Sequence, residues 1–279
     1  MATIQALIEE GSRRLRSLPE SRLEARLLLL AAAGLPEESF FRSPEALVPR
    51  RAENAFFRLV SRRREGFPLS YLTGSKEFWS LRLAVSRAVL IPRPETELIV
   101  EKALELAPAP RPVILDMGTG SGNIAIALAK ELPESRIYAA DCSLRALKIA
   151  AANARRHQAP NIRFVPSRLF SAFERGRRRF DVIVSNPPYV SEEEWKKLPA
   201  EIREHEPRRA LVPGPTGFEF IRALVRKAPA FLHRGGWLIL ETGAGQAEKA
   251  LSFFDGRWRL TDFARDLAGI PRVVYGRRD

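Results

Sequence analysis

The chain has 279 residues, of which 45% are hydrophobic and 28% charged, a composition typical of a folded protein and too apolar for a disordered one. Its longest apolar stretch, residues 27–35, is too short to span a bilayer, and we expect no secretory signal, because none is recognisable in the first residues of the sequence. The one cysteine, Cys142, excludes an internal disulfide and a CxxC metal site, and the three scattered histidines lack metal-ligand spacing. These features predict a protein of the reducing cytoplasm that holds no metal.

The net charge of +13 is compatible with a nucleic-acid partner. The most concentrated basic stretch runs from Arg175 to Arg179, with one glycine among four arginines. We expect this run to form a solvated loop and not a specific RNA contact. Charge alone therefore does not select a partner.

Residues 1–65 have the pattern of a small helical module. Leucines recur at helical or near-helical spacing, at Leu15, Leu18, Leu23, Leu27 and Leu30. Breaks at Pro19, Gly34–Pro36 and Pro44 separate the helices, and a third helix is expected over 52–64. Two interpretations of the module stay open: a packing appendage without a substrate role, and a substrate-recognition unit.

Residues 77–91 alternate partly between apolar and polar side chains and are rich in β-branched and aromatic residues, which predicts a hairpin. The next segment, Ile91–Glu97, reads IPRPETE, and Pro92 and Pro94 hold it extended. A helix is expected to begin at Thr96 or its neighbours, because acidic residues in its first turn would match the helix dipole.

From residue 113 onward, strands alternate with helices. The predicted strands are 113–117, 136–141, 162–166, 180–185, 237–242, 257–263 and 272–276. The predicted helices are Ser121–Leu132, Leu144–His157, 216–232 and 245–254. This alternation of buried-type strands with helices indicates an α/β fold with a parallel sheet covered on both faces. The last two strands have no helix between them and can pair antiparallel.

A glycine-rich loop, DMGTGSG from Asp116 to Gly122, lies where a strand turns into a helix. Ligands of open α/β sheets bind at this edge, beyond the carboxyl ends of the strands. Glycines at alternate positions permit a tight turn and let backbone N–H groups approach a ligand closely. The dinucleotide fingerprint is GxGxxG, and Asn123 stands where its last glycine would be. A pyrophosphate ligand is therefore the weaker interpretation.

Asp141 closes the second strand of the sheet. An acidic side chain there can accept hydrogen bonds from two ribose hydroxyls. Together with the glycine loop and Asp116, it indicates a nucleoside ligand with a short charged group instead of a diphosphate. S-adenosylmethionine fits, with its methionine end near the glycines. Cys142 adjoins Asp141, and we expect a small buried residue at a strand end and not a nucleophile.

The tetrapeptide Asn186-Pro187-Pro188-Tyr189 directly follows predicted strand 180–185. Its prolines fix an extended, rigid loop at the same edge of the sheet as the glycine loop. The Asn186 side-chain oxygen and the Pro187 carbonyl can accept the two N–H groups of a planar nitrogen and stabilise positive charge on it. Neither group titrates near neutral pH, so this chemistry is positioning and electrostatics, with proton loss to water. Tyr189 offers a flat face to the substrate.

These motifs resemble those of class I S-adenosylmethionine-dependent methyltransferases, and the NPPY tetrapeptide is similar to a signature of enzymes that methylate amino and amide nitrogens. More specifically, nearly the whole chain resembles the release factor glutamine methyltransferases of the HemK/PrmC family. The motifs that carry the resemblance are Tyr71–Gly74, Glu77–Trp79, Leu90–Thr96, Asp116–Ala129, Ser185–Val190, Glu206–Leu211 and Asp266–Arg272. The IPRPETE segment discriminates best, because DNA-adenine methyltransferases with NPPY do not usually have it.

The resemblance implies a Rossmann-like, seven-stranded methyltransferase domain over residues 96–279. It also implies a small N-terminal helical substrate-recognition domain over 1–70 and a β-hairpin linker over 71–95. The implied reaction is methylation of the side-chain amide nitrogen (N5) of the glutamine in the Gly-Gly-Gln motif of peptide chain release factors. S-adenosyl-L-methionine would be the methyl donor and S-adenosyl-L-homocysteine the product.

The resemblance also assigns roles to residues. By position, the cofactor-binding residues are Gly118, Thr119, Gly120, Ser121, Gly122, Asp141, Leu169 and Asn186. The substrate-binding residues are Asn186, Pro187, Pro188 and Tyr189, of which Asn186, Pro187 and Tyr189 are the expected catalytic residues. One position departs from the family: relatives commonly have an acidic and then a large residue before Phe170, where this chain has Arg168 and Leu169. The backbone and Leu169 are the groups left there to contact the adenine.

Two other functions stay open at this stage. A nucleic-acid adenine-N6 methyltransferase would face the same chemical problem and would suit the basic charge, but no target-recognition domain is recognisable. A non-catalytic binding protein of the same fold is disfavoured by the intact glycine loop, Asp141 and NPPY. The expected protein is a cytoplasmic monomer whose partners are release factors, without membrane or direct nucleic-acid contacts.

Overall fold

A computed structural model of the chain describes residues 1–108, 110–173 and 180–279. Two compact units are present. The first comprises Met1–Ser75 with Pro199–His205, and the second comprises Lys76–Leu198 with Glu206–Asp279. The basic run from Arg175 to Arg179, expected to be a solvated loop, lies outside the described residues.

The first unit is helical, as its leucine spacing predicts. Its helices in the N-terminal segment are α1 (Ile4–Arg14), α2 (Ser21–Ala33), α3 (Glu38–Arg42), α4 (Arg50–Arg64) and α5 (Leu69–Thr73). The Thr3 side chain caps α1 by accepting a hydrogen bond from the Ala6 N–H, and α2 ends at Gly34, whose left-handed backbone suits glycine. The helix predicted over 52–64 begins two residues earlier, and the short helices α3 and α5 were not predicted.

A buried arginine holds three segments of the first unit together. The Arg63 guanidinium donates to both carboxylate oxygens of Glu24 in α2, at 2.5 and 3.0 Å. It also donates to the Phe67 carbonyl and to Glu201, each at 3.0 Å. Because Arg63 is buried, each of these acceptors offsets part of the free energy lost when the charge leaves water.

The predicted hairpin is present but shorter than 77–91. It consists of β1 (Ser75–Phe78) and β2 (Leu81–Ala84), joined by two residues with positive φ, a geometry typical of tight hairpins. Residues 85–91 form no strand. The buried Asn153 side chain bonds both backbone groups of Ala84, and its Nδ2 also donates to the Ser121 carbonyl at 2.9 Å. This one amide therefore ties the hairpin to the glycine-rich loop.

The second unit is built on a seven-stranded sheet, which confirms the predicted fold class. Its strands are β3 (Val113–Met117), β4 (Arg136–Asp141), β5 (Ile162–Pro166), β6 (Phe180–Ser185), β7 (Leu232–Glu241), β8 (Trp258–Arg265) and β9 (Pro271–Arg278). The strand order is β5-β4-β3-β6-β7-β9-β8. Strands β3 to β7 are parallel, and β9 pairs antiparallel with β7 and β8. Strand β7 begins five residues before the predicted position.

Helices cover the sheet. They are α6 (Glu97–Leu106), α7 (Asn123–Glu131), α8 (Leu144–Arg156), α11 (Glu219–Lys227) and α12 (Ala247–Leu251). Helix α9 (Glu192–Lys197) buries none of its residues, and α10 (Ala200–His205) belongs to the first unit. Short 3₁₀ turns lie at Pro94–Thr96, Arg208–Ala210 and Ala228–Ala230. The helices predicted over 216–232 and 245–254 are shorter than expected, because a 3₁₀ turn and a bend replace their ends. Helices α9 and α10 were not predicted.

The two faces of the sheet bury alternate residues of each strand. Ile114, Val182 and Ile239 pack in one hydrophobic cluster with α6 and α7, whereas Leu115 and Ile183 pack in another with α11. This period of two, with both sides apolar, is the pattern of a parallel sheet sandwiched by helices. The sheet edge at the carboxyl ends of the strands is left for polar loops.

The contribution of the Arg63–Glu24 pair to the free energy of unfolding can be measured by substitution. Replacing Glu24 with alanine leaves a buried guanidinium without its principal acceptor, and we expect the free energy of unfolding to fall by about 3 kcal/mol. The matched control is Glu10→Ala, which removes a partly exposed carboxylate paired with Arg13 and Arg14 and should change stability much less than Glu24→Ala does. Urea denaturation followed by circular dichroism compares the two, and equal losses would contradict the account.

Candidate active site

A cavity of about 300 Å³ opens at the carboxyl ends of β3, β4 and β6. Of the residues predicted to bind cofactor or substrate, those that line it are Gly118, Thr119, Gly120, Ser121, Asp141, Leu169, Asn186, Pro187 and Pro188. Gly122 and Tyr189 are not among the lining residues. The structure thus brings the glycine-rich loop and the NPPY loop, far apart in sequence, to one pocket.

The glycine-rich loop turns sharply between β3 and α7. Gly118 and Gly120 have φ angles of 79° and 55°, a left-handed conformation that favours glycine. The Gly118 and Thr119 N–H groups donate to the Ala140 carbonyl, at 2.8 and 3.0 Å. Gly122 serves packing, because a Cβ there would lie 3.0 Å from Ile126 and 3.1 Å from Ala150. The loop therefore joins a strand to a helix while presenting backbone to the cavity.

Asp141 is held in place at the end of β4. Its Oδ1 accepts the Ser143 N–H at 2.8 Å, and its Oδ2 accepts the Gly120 N–H at 3.0 Å. These bonds orient the carboxylate and leave lone pairs for further donors. The arrangement can accept hydrogen bonds from the two hydroxyls of a ribose.

The neighbouring Cys142 is exposed and lines the cavity, so the expectation of a buried residue was wrong. Cys142 lies in the turn after β4, outside the interior of the sheet.

Asp116 lies beneath the loop with no exposed surface. Burial raises the pKa of its carboxyl to about 7, although the hydrogen bond from the Thr119 hydroxyl, at 2.6 Å, lowers it. The nearby charge of Asp141 raises it further. Asp116 is therefore an internal support of the loop whose charge changes near neutral pH.

The wall at the Leu169 end of the cavity has an unusual backbone. Leu169 has a φ of 52°, in the left-handed region that non-glycine residues rarely adopt. The Ser167 hydroxyl donates to the Leu169 carbonyl at 2.5 Å, and the Ser167 N–H donates to the Asp141 carbonyl at 3.0 Å. These bonds hold the segment against β4, so that Leu169 and Arg168 line the pocket.

The NPPY loop leaves β6 at Ser185, whose hydroxyl donates to the Met117 carbonyl of β3 at 2.6 Å. Next, the Asn186 Nδ2 donates to the Thr96 hydroxyl at 2.9 Å. Within the described residues, no donor bonds the Oδ1 of Asn186. Pro187 is buried and, like Asn186, lines the cavity. The loop thus presents a side-chain oxygen whose amide nitrogen is already bound.

Glu241, at the end of β7, bonds two residues of this region. Its Oε2 accepts the Thr96 hydroxyl at 2.6 Å, and its Oε1 accepts the Tyr189 hydroxyl at 3.1 Å. Burial raises the pKa of Glu241 to about 7, while the two hydrogen bonds lower it. Burial and the Glu241 charge also raise the pKa of Tyr189, which stays protonated at neutral pH. The tyrosine hydroxyl is therefore a donor to Glu241.

The backbone of the NPPY loop is braced from outside the cavity. The Gln246 Nε2 donates to the Tyr189 carbonyl at 2.9 Å. Gly217, with a φ of 81°, approaches the same carbonyl so closely that a Cβ would lie 2.4 Å from its oxygen. These contacts restrict Tyr189 and, through it, the loop.

Four residues of this region were given no site role from the sequence, although three of them lie in motifs that carry the family resemblance. Thr96 and Arg209 line the cavity, and the Arg209 guanidinium donates to the Ser143 hydroxyl at 3.2 Å. Glu206 is buried, pairs with Arg93 and accepts the Ile91 N–H at 3.2 Å, which anchors the IPRPETE segment. The fourth is Glu241. It could have been found, because an acidic residue at the carboxyl end of a buried strand next to β6 falls at the site edge.

Comparisons of the sequence with known proteins show the family to which the chain belongs. Residues 95–214 match the methyltransferase small domain family and residues 6–74 the PrmC N-terminal domain family. The release factor glutamine methyltransferase of Geobacter sulfurreducens is 43% identical over 269 residues, covering 94% of this chain and 91% of that protein. That of Coxiella burnetii is 39% identical, covering 100% of each chain. The chain belongs to the release factor glutamine methyltransferase family. The resemblance found in its motifs is confirmed.

Solved structures support the fold of this family member. A methyltransferase from Pyrococcus furiosus superposes with a TM-score of 0.55 at 17% identity, covering 78% of this chain and 98% of that one. At that identity the likeness concerns the fold alone. In the described part of the chain, no helix has both the length and the apolar character needed to cross a bilayer.

The close approach of Gly217 makes a prediction about the NPPY loop. In Gly217→Ala, the added methyl group would overlap the Tyr189 carbonyl, and the positive φ would be strained. We expect the loop to shift and methyl transfer to fall about 10-fold or more. Gly245→Ala is a matched control, since it has a positive φ of 76° but open space around its Cβ. Equal rates in the two variants would contradict the bracing role.

The buried carboxyls predict how stability depends on pH. Asp116 and Glu241 bind protons more tightly when folded, because burial raises their pKa from ordinary values of 3.8 and 4.5 to about 7. Their contribution is full below the ordinary values and is lost as pH rises toward 7, by up to about 1.4 kcal/mol per pH unit for each group.

Urea unfolding at several pH values measures this dependence. The doubly substituted Asp116→Asn, Glu241→Gln protein has neutral amides at both positions and should lose stability less steeply between about pH 4.5 and 7. Parallel curves for the wild-type and substituted proteins would show that neither carboxyl has the raised pKa.

Proposed function

We propose that this protein methylates the side-chain amide nitrogen (N5) of the glutamine in the Gly-Gly-Gln motif of peptide chain release factors. The methyl donor would be S-adenosyl-L-methionine. The observation that carries the proposal is that Asn186 and Pro187 line the same cavity as the glycine-rich loop and Asp141. Membership of the release factor glutamine methyltransferase family supports the choice of substrate.

The residues around the cavity fit the cofactor. The oriented carboxylate of Asp141 suits the ribose hydroxyls, and the backbone of Gly118 and Gly120 leaves room for the methionine part. Leu169 would offer an apolar side chain to the adenine. It stands where relatives commonly have a large residue, and Arg168 stands where they have the acidic one. The cavity volume of about 300 Å³ lies within the range of small-molecule sites. When bound, S-adenosylmethionine supplies an electrophilic methyl group.

The protein's own part in the reaction is to bind and orient the amide. An amide nitrogen is a weak nucleophile because its lone pair is delocalised into the carbonyl. The Asn186 Oδ1 and the Pro187 carbonyl would each accept one N–H, which orients the nitrogen and stabilises the positive charge that develops on it. The nitrogen gains one methyl group and loses one proton to water. Tyr189 does not line the cavity, and its part would be to hold the NPPY loop through the hydrogen bond from its hydroxyl to Glu241.

We propose a separate role for each of the three segments of the chain. Residues 1–70 would recognise the release factor, 71–95 would act as a linker and 96–279 would carry out catalysis. We propose that the protein acts as a monomer in the cytoplasm. Methylation of nucleic-acid adenine is not favoured, because the full-length relatives are named for release factor glutamine and the match includes the N-terminal residues 6–74.

Transfer of a labelled methyl group tests the proposal. The purified protein is incubated with labelled S-adenosylmethionine and either unmethylated release factor or unmethylated DNA. Label should appear on the release factor and be absent from a control factor in which the target glutamine is replaced by glutamate. Label on DNA alone would overturn the proposal in favour of adenine methylation.

Asn186→Ala removes one of the two acceptors at the reacting nitrogen. We expect kcat for release factor methylation to fall on the order of 100-fold or more, as when an oriented hydrogen-bond group is removed from other active sites. The fold should persist, because Asn186 is only half-buried, and circular dichroism checks this point. A folded Asn186→Ala protein with wild-type turnover would refute the assignment.

A further inference from the structure

We infer that Thr96 and Glu241 are positioning residues that determine which end of the Asn186 side-chain amide faces the substrate. By doing so they make the site select an NH₂ group over an oxygen. The inference rests on the proposed function, because it concerns the same cavity and the same reacting nitrogen. Neither residue was among the site residues indicated by the motifs.

The directions of the hydrogen bonds fix the role of the Thr96 hydroxyl. It donates to the Glu241 carboxylate, at an oxygen-to-oxygen distance of 2.6 Å. The threonine oxygen then has only lone pairs left, so it can serve Asn186 as an acceptor but not as a donor. The Asn186 Nδ2 meets this requirement at 2.9 Å. A flipped amide would set Oδ1 against the threonine lone pairs, leaving both without a proton.

Thr96 and Glu241 are both buried. Thr96 is 1% exposed and Glu241 is 2% exposed, so water does not readily replace a lost partner. A polar group that loses its hydrogen bond in such surroundings is strongly disfavoured, which makes the preference for one amide orientation large. The other oxygen of Glu241 accepts from Tyr189, and one buried carboxylate therefore orders both ends of the NPPY loop.

Thr96 does not have the role that is usual for a threonine in this position. Thr96 immediately precedes α6, where a threonine side chain usually caps the helix. Its side chain makes no capping bond to α6. Instead, the hydroxyl turns toward Glu241 and Asn186, which lie 145 and 90 residues further along the chain. The threonine thus joins the loop after β6 to the end of β7.

The consequence concerns the choice of substrate. With Nδ2 bound to Thr96, the Asn186 Oδ1 points away from the threonine as an acceptor, and the Pro187 carbonyl is an acceptor as well. A glutamine NH₂ can donate to both. A glutamate carboxylate would bring oxygen against oxygen, and sites built on such bonds reject an analogue that lacks the donors. The Thr96–Glu241 pair therefore sets the preference for glutamine over glutamate.

The test compares Thr96→Val, which keeps the shape but removes the hydroxyl, with Thr96→Ser, which keeps the hydroxyl. Thr216→Val is the matched control, because Thr216 also donates to a glutamate, Glu219, at 2.8 Å, but is exposed and not part of this network. For each protein we would measure kcat on release factor, the Kd for S-adenosylmethionine, and the inhibition constant of a release factor carrying glutamate in place of the target glutamine.

We expect Thr96→Val to lower kcat about 100-fold while the Kd for S-adenosylmethionine changes less than about threefold. In Thr96→Val the Asn186 amide can turn its nitrogen toward the glutamate carboxylate. The affinity for the glutamate-containing factor, relative to the affinity for the glutamine-containing factor, should therefore be about 10-fold higher in this variant than in the wild type. Thr96→Ser and Thr216→Val should stay within about fivefold of wild type in every measurement. Unchanged glutamine preference in Thr96→Val would overturn the inference.

Failure of the proposed function is recognised separately. If the wild-type protein methylates no release factor, the proposed function falls, and the inference is judged from the Asn186 side-chain NH₂ signals in nitrogen-15 NMR spectra. Slow hydrogen exchange in the wild-type and Thr96→Ser proteins, with fast exchange in Thr96→Val, would support a fixed amide. Equal exchange in all three proteins would overturn it.

Discussion

The arrangement of this site depends on the pairing of β3 with β6. Asp116 in β3 lies in register with Val184 in β6, and the Ser185 hydroxyl holds the Met117 carbonyl. Because the strands are parallel, their carboxyl ends meet at one edge, and the loops that follow must share it. The glycine-rich loop and the NPPY loop are neighbours for this reason alone. Every later feature of the cavity builds on that strand pair.

Around this pair, the chain has buried acids where acids are normally avoided. Asp116 supports the glycine-rich loop from below, and Glu241 supports the NPPY loop from behind. Each has hydroxyl donors that offset part of the unfavourable free energy of burial, yet burial still raises the pKa of each to about 7. Such groups stabilise the fold less than apolar side chains would. Their presence is understandable if they fix the orientation of site groups.

Much of this could be predicted from sequence because the signals are local. The strands over 136–141, 162–166 and 180–185 have the predicted bounds, since short, mostly apolar runs flanked by turns leave little alternative. The glycine-rich loop and NPPY were recognisable because glycine and proline act on their own backbone. Their meeting in one cavity followed from parallel topology.

The rest depended on contacts between distant residues. The bond from Thr96 to Glu241 spans 145 residues, and no local pattern specifies it. The hairpin ends at Ala84, where both backbone groups bond the Asn153 side chain of α8, a tertiary contact that the local sequence does not specify. Cys142 was placed wrongly for a similar reason: its type is usually buried, but the turn that follows β4 exposes it. Helices α9 and α10 have six residues each, too few for a helical period to show, although Ser191 and Glu194 form a capping box at the start of α9.

The most direct measurement is a crystal structure of the protein with S-adenosylhomocysteine and an unmethylated release factor. The account predicts the target glutamine nitrogen within about 2.7–3.2 Å of both the Asn186 Oδ1 and the Pro187 carbonyl oxygen, with Asp141 at the ribose hydroxyls. A glutamine held elsewhere, or an Asn186 side chain that turns its nitrogen toward the substrate, would contradict it.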